Sequence, residues 1–304
     1  MRTTGNLMKR NILIFMRDSG RVFFSILSML IILGLMILFL GNMNSEDIVC
    51  MLEQSGGARD AAADRANADY LVSMWTLAGI LLSNAVTVTM TAMGSMVEDE
   101  ACKRLASFYV APVKRVHVAF GYIFSAWVIG IVMCLITLTA FQGYLAVTGQ
   151  ALLAVTGCFR LLGMIVLNTF LYAAAAYLLA LFIHSVGAWS GLLTVIGTLV
   201  GFVGAVYLPV AVLPEKVADV LKYLPVLHGA AMMRVVCTED AIETAFAGLP
   251  AEAAEVFREN MGITVVMGNG PVSFAAQAAC LLVFGLAAVV TAAAVSRKRA
   301  VYDR

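Results

Sequence analysis

From Leu71 to Val97 the chain runs 27 residues without an Asp, Glu, Lys or Arg, and from Val116 to Phe159 it runs 44. A helix rises about 1.5 Å per residue, so roughly 20 apolar residues already cross the hydrocarbon of a bilayer. A third uncharged stretch, Leu161 to Pro214, covers 54 residues and must fold back on itself; His184-Ser-Val-Gly187 is the natural turn. Composition agrees: 62% of the chain is hydrophobic and 13% charged, against about 45–50% and about 25% in soluble domains. Lipid requires each backbone polar group to be satisfied within its own segment. A membrane β-barrel would show alternation in segments of about ten residues, which these runs lack. The expected fold class is an all-α membrane protein.

Six spans follow: Val22–Gly41, Leu71–Val97, Val118–Phe141, Leu161–Ile183, Ala188–Leu208 and Val272–Val295. The first is expected to be a retained anchor, because its apolar run exceeds the roughly 7–15 residues of a signal peptide and no A-x-A site follows. Charge sets the orientation. The segment before the first span, the loop after the second and the C-terminal tail carry 13 of the 20 basic residues, while the remaining segments carry 14 of the 19 acids. Bases collect on the cytoplasmic side, so both termini and the loop around residues 98–115 are expected there. External segments then cover 42–70 and 209–271, and a basic tail covers 296–304.

Residues 1–21 read as a cytoplasmic amphipathic connecting helix, with Met8, Ile12, Phe15 and Ser19 on one face and Lys9, Arg10 and Arg17 elsewhere. Such a helix lies in the headgroups with its bases toward anionic lipid; an ordinary basic flank is the alternative. The segment 42–70 is acidic and rich in Ala and Gly. In the second external segment Pro209, Pro214 and Pro225 punctuate short apolar pieces that are too short to span and too apolar to stay in water. They are expected to lie at the outer surface or dip partway in, followed by one or two polar helices.

Chemistry is sparse. The cysteines at 50, 102, 134, 158, 237 and 280 form no C-x-x-C pair, and a Cys50–Cys237 disulfide stays open. His117, His184 and His228 sit near span boundaries with no second ligand at metal spacing, so interfacial packing is their expected role. No catalytic or metal site is expected. The spans contain no Asp, Glu, Lys or Arg, which disfavours proton or ion coupling. No G-x-x-x-x-G-K-[ST] phosphate loop is present. Energy for uphill work must come from a partner.

The loop between the second and third spans breaks this pattern with "VEDEACKRLASFYVAPVKR". Glu98, Asp99 and Glu100 are expected to open a short helix at the favourable end of its dipole, with Lys103 and Arg104 one turn on. Leu105, Phe108 and Tyr109 would share one face, and Pro112 would stop the helix before the next span. That face either packs back onto the bundle or plugs a groove on a cytoplasmic protein.

With these residues in place, the chain resembles the ABC-2 type permeases, the membrane subunits of ATP-binding-cassette exporters such as the daunorubicin and multidrug efflux type. That family carries E-R-x-x-G-T-L-E-x-L-x-x-x-P-x-x-R after its second span. Glu100, Leu105, Phe108, Pro112 and Arg115 stand at or beside comparable places, with Lys103-Arg104 where the family has Gly-Thr. A second likeness is Leu213-Pro214, Leu224-Pro225 and Arg234, which is similar to the family's re-entrant segment before the last span. The resemblance implies a plasma-membrane exporter permease with no cofactor of its own. Its implied partners are two ABC ATPase subunits that hold ATP and Mg, a second permease half (the same chain or another), and membrane lipid, but no nucleic acid. Glu98, Asp99, Glu100, Lys103, Arg104, Leu105, Phe108, Tyr109, Pro112 and Arg115 would form the ATPase-coupling segment.

A cargo path is left between two readings. Asn84, Thr87 and Thr91, then Ser190 and Thr194, and Asn168 with Tyr172 make polar, uncharged helix faces that either line a path or pack helices together. An uncharged path suits an amphiphilic compound. A membrane enzyme, a secondary transporter and a non-transporting scaffold are the rival readings.

Overall fold

The computed structural model describes residues 2–35, 41–54, 60–105, 114–268 and 270–302. It is helical almost throughout: α1 Arg2–Arg17, α2 Ser19–Leu35, α3 Gly41–Gln54, α4 Ala61–Ala101, α5 Arg115–Thr148, α6 Val155–Ala180 and α7 Val186–Val203, followed by a 3₁₀ turn Val210–Val212. Then come α8 Glu215–Leu221, α9 Pro225–Ala245, α10 Ala251–Asn260, a two-stranded hairpin of β1 Val266–Met267 with β2 Gly270–Pro271, and α11 Phe274–Tyr302. Five of these helices (α4, α5, α6, α7 and α11) are long and apolar enough to cross a membrane. They correspond to the second to sixth spans expected above, with some ends shifted. The first expected span begins in α2, and residues 36–40 lie outside the described residues.

Local chemistry explains most boundaries. Asp60 caps α4 by accepting from the Ala62 amide at 3.0 Å, and Ser185 caps α7 by accepting from Ala188 at 3.2 Å. That second cap falls within the turn expected at His184–Gly187. Gly149 ends α5 in the left-handed conformation at φ +72°. The prolines start helices: Pro209, Pro214 and Pro250 immediately precede the 3₁₀ turn, α8 and α10, and Pro225 is the first residue of α9. The α8–α9 pair bends by 85° at the break before Pro225.

The helix α4 is the axis of the molecule. Its 41 residues reach about 61 Å, longer than a bilayer, and it packs against α5, α6, α7 and α9 at once. One half of the core joins Trp75, Leu77 and Leu81 to Met232, Met233 and Phe257. The other joins Val88, Met93 and Met96 to Tyr122, Ala173, Tyr177 and Trp189. Gly130 lets three helices meet, since a Cβ there would lie 2.8 Å from Thr89 Cγ2 and 3.2 Å from Thr169 Cγ2. By contrast α7 and α11 leave Val195, Leu199, Phe202, Val283, Phe284 and Val290 exposed.

Three expectations need correction. The helix α1 forms, but it buries Leu7, Asn11 and Phe15 against protein rather than presenting Met8 and Ser19 as its apolar face; Asn11 donates to Ser125 Oγ of α5 at 3.4 Å. The fifth span stops at Val203, not Leu208, because the chain turns through Gly204 and Ala205, the latter at φ +50°. Finally, the fourth span ends at Ala180, not Ile183. On the question left open for the cysteines, Cys237 is buried and Cys50 exposed, with no disulfide joining them.

Candidate functional site

Glu98, Asp99 and Glu100 do not open a new helix. They form part of the last turn of α4, which runs on to Ala101 before Lys103 enters the left-handed region at φ +57°. This reverses the expected electrostatics: carboxylates at a helix C-terminus face the negative end of its dipole. Cations brought from elsewhere compensate. Successive residues on a helix point about 100° apart, so the three acids reach three different elements.

Glu98 pairs with Arg21 at the start of α2. Asp99, only 2% exposed, takes a bidentate pair from Arg10 of α1 at 2.7 and 2.9 Å. It also accepts from the Tyr122 hydroxyl of α5 at 2.6 Å and from Arg104 at 3.3 Å. Glu100 meets His184 Nδ1, in the α6–α7 turn, at 2.7 Å. Burial alone would raise the Asp99 carboxyl, but the donors from Arg10 and Tyr122 outweigh it and hold the group below the usual carboxylate range. One turn of α4 thus clasps α1, α2, α5 and the α6–α7 turn. Leu105 is buried in the same cluster as Leu7, Phe15 and Val97. Lys103, Arg104 and Arg115 lie at this basic end, whereas Phe108, Tyr109 and Pro112 lie outside the described residues.

At the other end of α4 a second polar knot forms. Arg234 of α9 is fully buried and donates to the carbonyls of Gly204 at 2.8 Å, Ala205 at 2.6 Å and Gly262 at 3.1 Å. Its guanidinium sits 4.8 Å from the Trp75 ring, and Trp75 Nε1 donates to Met261 O at 2.9 Å. Carbonyls left open just past the end of α7 are satisfied this way, with a cation–π contact added. The re-entrant segment is therefore fastened into the bundle rather than resting on its surface.

Between the two knots, α2, α4 and α7 enclose a cleft of about 460 Å³. Phe24, Leu27 and Ile31 form one wall; Ser83, Thr87, Thr194 and Thr198 supply hydroxyls; Tyr207 closes the end, its ring laid over Gly201 where no side chain would fit. Among the described residues, none that lines it is charged. Of the polar residues singled out in the sequence, Thr87 and Thr194 meet here. The rest do not line it. Asn84 is turned to α5 and donates to Thr137 Oγ1 at 2.6 Å. Asn168 and Tyr172 are buried where α6 meets α9, close to Gly229. Thr91 and Ser190 bond back to their own helix. Sequence reasoning missed Arg10, Arg21 and Tyr122 as partners of the acids, and missed Ser83 and Tyr207 altogether. The pattern in residues 1–21 gave no signal of these pairs, because it reads as a helix with its bases toward anionic lipid.

A protein-family model described as ABC-2 family transporter protein matches residues 59–294. No curated protein matches the chain.

Proposed function

The chain belongs to the ABC-2 transporter family, and from that premise we propose that it is the membrane half of an exporter whose cargo is a neutral amphiphile. As a family member it is a multi-pass membrane component of an ABC transporter that works with ABC ATPase subunits and is not itself the catalyst. The finer reading is this. Both termini and the clasped end face the cytoplasm; two ATPase subunits, holding ATP and Mg, dock there; and a second permease half, the same chain or another, completes the transporter.

The observation that carries the reading is the clasp. In sequence, residues 106–113 link the last turn of α4 to α5, and that turn grips α1, α2, α5 and the α6–α7 turn through separate ion pairs and hydrogen bonds. A push delivered to the segment would be shared by all of them at once. Its residues Phe108, Tyr109 and Pro112, flanked by Lys103, Arg104, Lys114 and Arg115, have the make-up of a docking plug with an aromatic centre and a charged rim. The uncharged cleft, with Thr87 and Thr194 among its lining, supports a neutral cargo; charged solutes would leave their ionic groups unpaired there. The daunorubicin and multidrug likeness is consistent with that class.

Co-purification tests the docking claim. An ATPase subunit should come through solubilisation with the wild-type chain, and Phe108→Asp should cut its retention tenfold or more by placing an unpaired charge in a desolvated contact. Full retention with Phe108→Asp removes this segment as the contact.

A further inference from the structure

Among the hydroxyls that line the cleft, one is different. Thr87 donates to Ser83 O at 2.8 Å, Thr194 to Ser190 O at 3.1 Å and Thr198 to Thr194 O at 2.9 Å. Each of these protons is spent on its own helix, so those oxygens offer only lone pairs. Ser83 is 3% exposed, lines the same space, and its Oγ has no hydrogen-bond partner. A buried hydroxyl left unpaired costs free energy, and a helical serine normally removes that cost by donating to a carbonyl one turn back. The Ser83 hydroxyl has not spent its proton on any carbonyl, and Ser83 lines the cleft. Tyr207 also lines the cleft, with its ring over Gly201. The opposite wall is aliphatic and aromatic: Phe24, Leu27 and Ile31.

We propose that Ser83 is the polar anchor of a ligand site in this cleft. The occupant is an uncharged amphiphile that carries a hydrogen-bond acceptor, such as an ester, ketone or ether oxygen, on an apolar body. The acceptor takes the Ser83 proton while the body lies along Phe24, Leu27 and Ile31. Alcohol or amide donors have a further use, because the three threonine oxygens can accept from them. A carboxylate or an ammonium group has no counter-charge there. The inference rests on the cargo reading of the cleft given above and narrows it to one chemical class and one residue. The same acceptor chemistry is offered by a dissolved solute and by the ester groups of a bilayer lipid.

Photolabelling of the full chain in lipid nanodiscs separates these cases. Four probes share one benzophenone: a long-chain neutral ester, the matched hydrocarbon without oxygen in the chain, the matched carboxylate, and a phosphatidylcholine bearing the benzophenone on one acyl tail. Labelled peptides are mapped by mass spectrometry. The ester should label the peptides around Ser83 and Gly197–Tyr207 about fivefold more than the hydrocarbon or carboxylate does, the worth of one hydrogen bond. Ser83→Ala should remove that preference and Ser83→Thr should restore it. Strong labelling by the phosphatidylcholine probe identifies lipid as the occupant; weak labelling beside a strong ester signal identifies a solute. Equal labelling by ester and hydrocarbon, or an ester preference that survives Ser83→Ala, overturns the anchor and leaves the cleft as an apolar site. Absence of label in the cleft from every probe overturns the cargo reading together with the anchor.

Discussion

Arg10 and Asp99 lie 89 positions apart in the chain, yet they form the most committed ion pair in the structure. Asp99 is the buried partner, and removing Arg10 leaves its charge only one cationic contact, the longer 3.3 Å one from the exposed Arg104. Arg10→Met should therefore destabilise the folded chain by on the order of 3 kcal/mol. Asp99→Asn in the same molecule should recover much of that loss, because an amide still accepts from Tyr122 and no longer needs a cation. The check is a double-mutant cycle read by unfolding in mixed micelles. Additive effects of the two changes would mean that the pair is not coupled. This pairing was not legible in the sequence. Three adjacent acids ahead of two bases look locally like a helix start, and nothing in that window shows that the compensating side chains come from 77, 84 and 89 positions away. Ser83 was unreadable for a related reason: whether a serine spends its proton on its own helix depends on the rotamer that its neighbours allow.

At the scale of elements, the sequence was more informative. Runs without charge translate into helices because lipid and core alike exclude unpaired ions, and prolines translate into helix starts because a missing amide is harmless only there. What the pattern did not carry was depth. Residues 225–245 include Arg234, Glu239, Asp240 and Glu243, and the sequence left the Arg234 end between lying at the surface and dipping partway in; α9 packs against α4, α6 and α11. The reason is Arg234, whose charge is met by three carbonyls and an aromatic face instead of by water. Arg234→Met should leave those carbonyls without donors and loosen the link between the end of α7 and the re-entrant segment. Hydrogen–deuterium exchange should then speed up tenfold or more across residues 204–213 while α11 stays protected. Unchanged exchange there would show that packing alone holds the segment. Arg234→Lys should resemble Arg234→Met, since an ammonium on a flexible stem does not reproduce a planar fork that spans three acceptors.

For the molecule as a whole, family and all-α membrane class were readable from composition and the order of weak motifs. The placement of function was not, because it depends on which helices become neighbours. Thr87 and Thr194 come together only once α4 and α7 pack, whereas Asn84, with the same sequence credentials, turns to α5. The clasp and the Arg234 knot sit on opposite ends of one uninterrupted helix. Trp75 and Asp99 are separated along α4 by about 36 Å at 1.5 Å per residue, with no proline between them. Such a rod has no joint at which its two ends can be set independently. An antibody fragment that grips the exposed first turn of α4 at Ala61–Ala63, the end away from Asp99, should therefore act as a brake: ATP turnover by the assembled transporter should fall severalfold although the fragment never touches the ATPase. Undiminished turnover with the fragment bound would mean that the work bypasses this rod.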